Sequence, residues 1–279
     1  MRALVNSIRL ILTKKFFIIY ITIFVLILCL LNLMNPVPIL VRGLFSEIAG
    51  DTIDNLIVLV NSMFNKNTVL FYIFVCFAIA LGLATVVSLF FSGPLFMLSK
   101  TVDDSDYKPK RLDYFKGFFN CFVKLALVLF ILFYAILMLL YSFIIIIFPA
   151  LLVGKIAGTG ANGNGTYEFF LIVTLIIIYL LLLFLRVYLM YMIPASFKTV
   201  SFYKTSLKVA GSSFVTSVTT LIGLDLIYIG TLSYIGMLNS GAFKLILLLL
   251  ANTLFWTIFI VWLFYKFNHT IIKKKIILE

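Results

Sequence analysis

Two ionisable residues, Arg186 and Asp225, lie well inside long apolar stretches of the sequence. A charged side chain near the centre of a bilayer costs about 2.5–3.5 kcal/mol on insertion scales, so such residues usually face a helix bundle or water. Two interpretations are open from the sequence. The residues form a structural ion pair, or Asp225 belongs to a proton- or ion-coupled site. The polar candidates near such a site are Thr219, Tyr228, Asn252 and Thr253.

The residue sets of known intramembrane enzymes are missing from these stretches. The single histidine, His269, rules out a His-Glu-x-x-His zinc helix and leaves no histidine base within the apolar segments. An aspartic dyad needs two carboxylates, and Asp225 has no companion at its depth. The three cysteines show no CxxC spacing, which argues against a thiolate metal site. We therefore expect no catalysis, no metal and no cofactor.

The elements that must position Arg186 and Asp225 are membrane helices. Of the 279 residues, 64% are hydrophobic and 11% are charged, whereas soluble domains average about 25% charged residues. Several uncharged apolar runs are as long as a transmembrane helix. The sequence predicts an all-α, polytopic membrane protein that forms one transmembrane domain. The six predicted spans lie near 16–34, 69–98, 122–153, 169–194, 214–238 and 245–267.

The positive charge of the chain is distributed unevenly between these spans. The formal net charge is +12, yet most Lys and Arg residues fall before the first span, after the sixth, or in the two connections 99–121 and 195–213. The connections on the opposite side hold only Arg42, Lys66, Lys155 and Lys244. An excess of Lys and Arg marks the cytoplasmic side of a cell membrane, so both termini are expected there. No motif for nucleic-acid binding accompanies the charge.

Short cationic amphipathic stretches precede three of the spans: 1–15, 112–123 and 203–214. Such stretches are typical of helices that lie at a membrane surface and attract anionic lipid. The basic residues expected to face lipid or a partner protein are Lys110, Arg111, Lys116, Lys204 and Lys208.

A short sequence pattern recurs at the ends of two predicted spans. Gly93-Pro94 is followed by Lys100-Thr101-Val102, and Ile193-Pro194 is followed by Lys198-Thr199-Val200. Internal repeats are common in membrane folds. We therefore predict three repeated units, each of which is an amphipathic helix followed by a pair of spans.

The segment from Pro194 to Phe214 has a recognisable order: a proline, a short basic loop, Ser-Leu-Lys-Val-Ala-Gly-Ser-Ser-Phe, and then a span. This order resembles uncharacterised six-helix prokaryotic integral membrane families, which are related by pattern to the membrane domain of glycerophosphodiester phosphodiesterases. The resemblance implies a fold and supplies no catalytic residues.

Two functions from different classes fit these observations. The first is a non-enzymatic scaffold or accessory protein of the cell envelope, whose basic side meets anionic lipid or a partner protein. The second is a permease, or the membrane subunit of a transporter, with a buried site around Asp225. In that case the basic connections would dock a cytoplasmic ATPase, because the chain has no nucleotide motif of its own.

Overall fold

The computed structural model describes residues 2–13, 19, 23, 66–104, 107–108, 110–157, 164–238 and 241–274. This part of the chain is helical and contains no strand. Its helices are α1 (Arg2–Thr13), α2 (Lys66–Asp103), α3 (Arg111–Ala157), α4 (Asn164–Met190), α5 (Met192–Lys198), α6 (Phe202–Gly236) and α7 (Ala242–Lys274).

Five stretches of the described chain are long and apolar enough to cross a membrane, which confirms a multi-pass membrane protein. They are Val69–Asp103, Leu112–Leu139, Ile176–Lys198, Phe202–Gly236 and Ala242–Lys273. Many of their large apolar side chains are exposed, as expected of helix faces that meet lipid. Of the predicted first span, 16–34, only Ile19 and Ile23 are described, and both are helical.

Two helices begin earlier than the sequence predicts. Helix α3 begins at Arg111 rather than near 122, and α6 begins at Phe202 rather than near 214. Neither 111–122 nor 202–214 contains a proline, so nothing interrupts the ladder of backbone hydrogen bonds. The amphipathic stretches 112–123 and 203–214 are therefore the first turns of long helices and not separate elements.

The predicted span 169–194 is broken near its end. Helix α4 ends at Met190, Tyr191 forms a turn, and α5 begins at Met192. Pro194 lies in the first turn of α5, where a missing N–H is tolerated, and it cannot bond the carbonyl of Met190. By contrast, Pro94 lies inside α2, which continues to Asp103.

The chain divides into two compact units. The first comprises residues 1–34, 86–128 and 184–279, and in it α1 packs against α7, α7 packs against α6, and α5 contacts both α6 and α7. The second comprises residues 35–85 and 129–183. There Phe77 meets Phe130 edge-on at a ring-centroid distance of 5.1 Å, and Phe130 stacks on Tyr134.

Within the first unit, α2 and α3 approach each other over two glycines. A Cβ on Gly93 would lie 2.6 Å from the ring of Tyr114, and a Cβ on Gly117 would lie 2.6 Å from Cβ of Phe96. Each aromatic residue thus occupies the space that the glycine of the other helix leaves. Small residues allow membrane helices to pack closely in this way.

Candidate functional site

Arg186 of α4 and Asp225 of α6 form an ion pair. Nη1 of Arg186 donates to both carboxylate oxygens of Asp225, at 2.7 Å to Oδ1 and 2.8 Å to Oδ2. The side chains are 22% and 11% exposed, respectively. Charge-assisted hydrogen bonds of this length are stronger than neutral ones, and more so where water is scarce. The structure therefore brings together the two residues that stand out in the sequence.

A third helix contributes an aromatic ring to this pair. Cζ of Arg186 lies 4.8 Å from the ring centroid of Phe259, a buried residue of α7. A guanidinium over an aromatic face gains cation–π attraction, which increases when the groups are desolvated. The guanidinium thus contacts both the carboxylate of α6 and a ring of α7. The arrangement links α4, α6 and α7 and neutralises the buried charge.

Asn252, the third predicted intramembrane residue, lies one layer away and bonds elsewhere. Its Oδ1 accepts a hydrogen bond from the hydroxyl of Tyr228, and its Nδ2 donates to the carbonyl of Leu248 at 2.7 Å. The ring of Tyr228 stacks on Phe255 at 4.1 Å, and Phe255 stacks on Phe259 at 6.2 Å. Aromatic rings therefore connect this layer to the ion pair.

A further polar contact joins α6 to the break between α4 and α5. The Tyr191 hydroxyl and the Ser217 hydroxyl are 2.7 Å apart, and both side chains are buried. Ser217 also lies 2.8 Å from the carbonyl of Ser213, to which it donates. The hydroxyl of Tyr191 thus has a partner where α4 ends. Sequence reasoning missed this contact, because Tyr and Ser in apolar helices are common.

The basic ends of three helices are joined by a second polar cluster. Nζ of Lys198 donates to Oδ1 of Asp103 and to Oδ1 of Asn268, the latter at 3.1 Å. Nδ2 of Asn268 donates to the carbonyl of Val102 at 3.4 Å. The end of α2, the end of α5 and the last turns of α7 therefore meet. Below, this end of the first unit is called the basic end. Residues 99–104 and 195–198, which the sequence predicts on one side of the membrane, lie at the same end of the first unit.

Asp113 of α3 accepts hydrogen bonds from α2 and from the connection between α2 and α3. It accepts hydrogen bonds from the Tyr107 hydroxyl at 2.6 Å and from Nζ of Lys100 at 3.4 Å. Burial raises the pKa of Tyr107 above its ordinary value, and the hydrogen bond to Asp113 and the negative charge of Asp113 raise it further. The phenol is therefore held in its protonated, donating form.

The echoed Lys-Thr-Val sequences have matching local structure. The Thr101 hydroxyl donates to the carbonyl of Met97 at 2.8 Å, and the Thr199 hydroxyl donates to the carbonyl of Ala195 at 3.1 Å. Both threonines are buried, and each preceding lysine pairs with an aspartate. The match covers one turn at each helix end.

The residues predicted to face lipid or a partner lie in the first turns of α3 and α6 or directly before α3. Lys110, Lys116, Lys204 and Lys208 are exposed. Arg111 is the first residue of α3. Among the described residues, no three His, Cys, Asp or Glu side chains are grouped closely enough to hold a metal ion.

Comparisons of the chain with protein-family models, with curated proteins and with solved structures gave no match. The resemblance to six-helix prokaryotic membrane families therefore stays a prediction from the sequence.

Proposed function

We propose that the protein is a non-enzymatic scaffold or accessory protein of a prokaryotic plasma membrane, which binds anionic lipid at its basic end. The observation that carries this proposal is a feature that three helices have in common. The first turns of α1, α3 and α6 each expose large apolar side chains next to Lys or Arg. Below, these are called the three interfacial faces.

Each interfacial face combines exposed apolar residues with exposed basic residues. These residues are Val5, Ile8, Arg9 and Leu12 on α1, Leu112, Phe115, Lys116 and Phe119 on α3, and Tyr203, Lys204, Leu207 and Lys208 on α6. Phe119 is 76% exposed, although a bare phenylalanine in water is unfavourable. Apolar groups among cations suit the headgroup layer outside the acyl chains, where each Lys or Arg contributes about 1 kcal/mol.

The buried ion pair supports the same proposal. Asp225 accepts two short bonds from Arg186, whose guanidinium also contacts Phe259. A carboxylate that takes up and releases a proton or cation in each transport cycle would have to leave this arrangement. Fixing the positions of α4, α6 and α7 is the simpler role.

We infer that the interfacial faces lie on the cytoplasmic side, with both termini, and that each begins one of three repeated units. The charge bias of the connections supports this orientation. The matching turns at Thr101 and Thr199 support a repeat of the helix ends.

Reconstitution of the purified protein in nanodiscs tests the proposal. We expect phosphatidylglycerol to be enriched around the protein over phosphatidylcholine, in a manner weakened by salt. Removal of one interfacial cation, Lys208→Gln, should lower this preference about fivefold. Lys244→Gln is the matched control, because Lys244 lies beyond the opposite end of α6 and donates to the carbonyl of Gly236.

Three results would contradict the proposal. Equal retention of both lipids by the wild-type protein would show that the protein has no preference for anionic lipid. Solute or proton flux in proteoliposomes that Asp225→Asn abolishes, in a variant that unfolds like the wild type, would favour the permease instead. Stoichiometric capture of an ATPase subunit would identify the basic end as a protein interface.

A further inference from the structure

We infer that the contact between Thr216 of α6 and Lys266 of α7 is a site that binds the phosphate of one anionic lipid headgroup. This inference rests on the proposed function, and it turns a general attraction to anionic lipid into a defined site. The probe lipid is phosphatidylglycerol.

The first argument is depth. Helix α6 needs about 20 residues to cross a hydrocarbon layer of about 30 Å, which is the stretch from Thr216 to its last residue, Gly236. Helix α7 begins at Ala242, and the same length brings it to within about one turn of Lys266. Nζ of Lys266 donates to Oγ1 of Thr216 at 2.8 Å, so the two helices place these groups at one level. That level is the boundary of the acyl chains, where lipid phosphates lie.

The second argument is the fixed geometry of the donor. The Thr216 hydroxyl, which accepts from Lys266, donates in turn to the carbonyl of Ser213 at 2.9 Å. The chain of bonds holds the ammonium between two helices and uses one of its three N–H groups. Two N–H groups are left to bind the oxygens of a phosphate. A lysine side chain that is already fixed by a hydrogen bond loses less conformational entropy on binding than one that rotates freely.

The third argument is an excess of positive charge near this contact. Lys273 lies two turns further along the same side of α7, so its positive charge faces the same way as that of Lys266. Lys208 lies two turns from Thr216 on α6 and is exposed. None of the three ion pairs found among the described residues includes Lys208, Lys266 or Lys273. Lys198 offers the contrast, since Asp103 and Asn268 accept from it. A phosphate would offset the excess of positive charge at Lys266.

The test measures how many phosphatidylglycerol molecules the full-length protein retains in detergent, and how tightly, by native mass spectrometry. We expect one saturable lipid on the wild-type protein. Lys266→Gln should weaken it about fivefold, and Lys266→Gln/Lys273→Gln should weaken it further. Thr216→Val, which keeps the shape and removes the hydroxyl, should also weaken it. Lys266→Arg should restore it. Lys244→Gln should bind like the wild type.

The outcomes separate this inference from the proposed function. Should Lys266→Gln retain the saturable lipid while the wild-type preference for phosphatidylglycerol persists, the site is wrong and the general attraction stands. Should the wild-type protein show no preference at all, both fall together. Displacement of the lipid by inorganic phosphate at equal concentration would assign the site to a soluble anion and overturn a lipid site. Thermal unfolding of every variant distinguishes lost binding from lost folding.

Discussion

Two ion pairs of the first unit, Arg186–Asp225 and Lys198–Asp103, differ in their surroundings. The first connects two membrane-spanning helices, and both of its side chains are largely buried. In the second, the Asp103 side chain is 48% exposed, whereas the Lys198 side chain is 9% exposed and has Asn268 as another acceptor. A buried charge that loses its only partner is left in a medium that cannot solvate it, whereas at Asp103 water replaces the lost partner and at Lys198 Asn268 still accepts a hydrogen bond. An ion pair therefore has a structural role in one place and a smaller one in the other.

The comparison also separates two ways of holding helices together. Charge joins α4 to α6 in the apolar layer, where both side chains are largely buried. At the basic end, α2 and α3 are held by shape, because Phe96 and Tyr114 fit over Gly117 and Gly93. Polar contacts at that end add to the packing and do not replace it. The following predictions test this division, from the largest expected effect to the smallest.

The largest effect is expected from breaking the buried pair. Asp225→Ala leaves the Arg186 guanidinium unpaired and should lower the free energy of unfolding by about 3–5 kcal/mol. Unfolding in mixed detergent micelles, followed by circular dichroism, measures the change. The double variant Arg186→Ala/Asp225→Ala should recover part of the loss, because neither charge then remains buried. A double variant no more stable than either single one would mean that the two residues do not act as a pair.

The second effect concerns packing at the basic end. Gly117→Ala places a methyl group 2.6 Å from Cβ of Phe96, so α2 or α3 must shift. Overpacking of this kind costs about 1–3 kcal/mol. The same unfolding measurement applies, with Gly223→Ala of α6 as the matched control, because nothing lies within 4 Å of a Cβ there. Equal stability of the two variants would show that close approach at Gly117 is unimportant.

Sequence reasoning found the buried pair and missed most of what surrounds it, for a physical reason. Arg186 and Asp225 stand out because any charge in an apolar run is costly. Lys198 and Asp103 are two charges among many near the span ends, and only the folded chain selects which of them meet. The contact of Arg186 with Phe259 is hidden in the same way, since the chain has 30 phenylalanines. Hydropathy located the helices but placed the starts of α3 and α6 too late, since it marks where charges end and not where helices begin.

The third effect is the counterpart of the first. Asp103→Asn keeps the shape of the side chain and its Oδ1 acceptor, and Lys198 retains Asn268. We expect a loss in the free energy of unfolding of about 0–1 kcal/mol, which disappears at high salt. Repeating the unfolding of wild-type protein and variant at low and high ionic strength measures it. A loss as large as that of Asp225→Ala, unaffected by salt, would remove the distinction between the two pairs.

The smallest effect near neutral pH is expected at Tyr107, whose phenol loses its proton only in the alkaline range. The pKa of Tyr107 is raised in the folded protein, so the folded state binds the phenolic proton more tightly than the unfolded state. Below the ordinary pKa of 10.0 both states are protonated, and the contribution of this proton to stability is complete. Above 10.0 the unfolded chain releases the proton first, so stability falls as the pH rises toward the folded pKa. Tyr107→Phe removes this dependence together with one hydrogen bond to Asp113. Subtracting the variant's free energies of unfolding from those of the wild type cancels the pH dependence that the two proteins share. A difference that stays constant across the alkaline range would mean that the Tyr107 phenol titrates alike in the folded and unfolded chain. Its contact with Asp113 would then contribute as little to stability as the ion pair at Asp103.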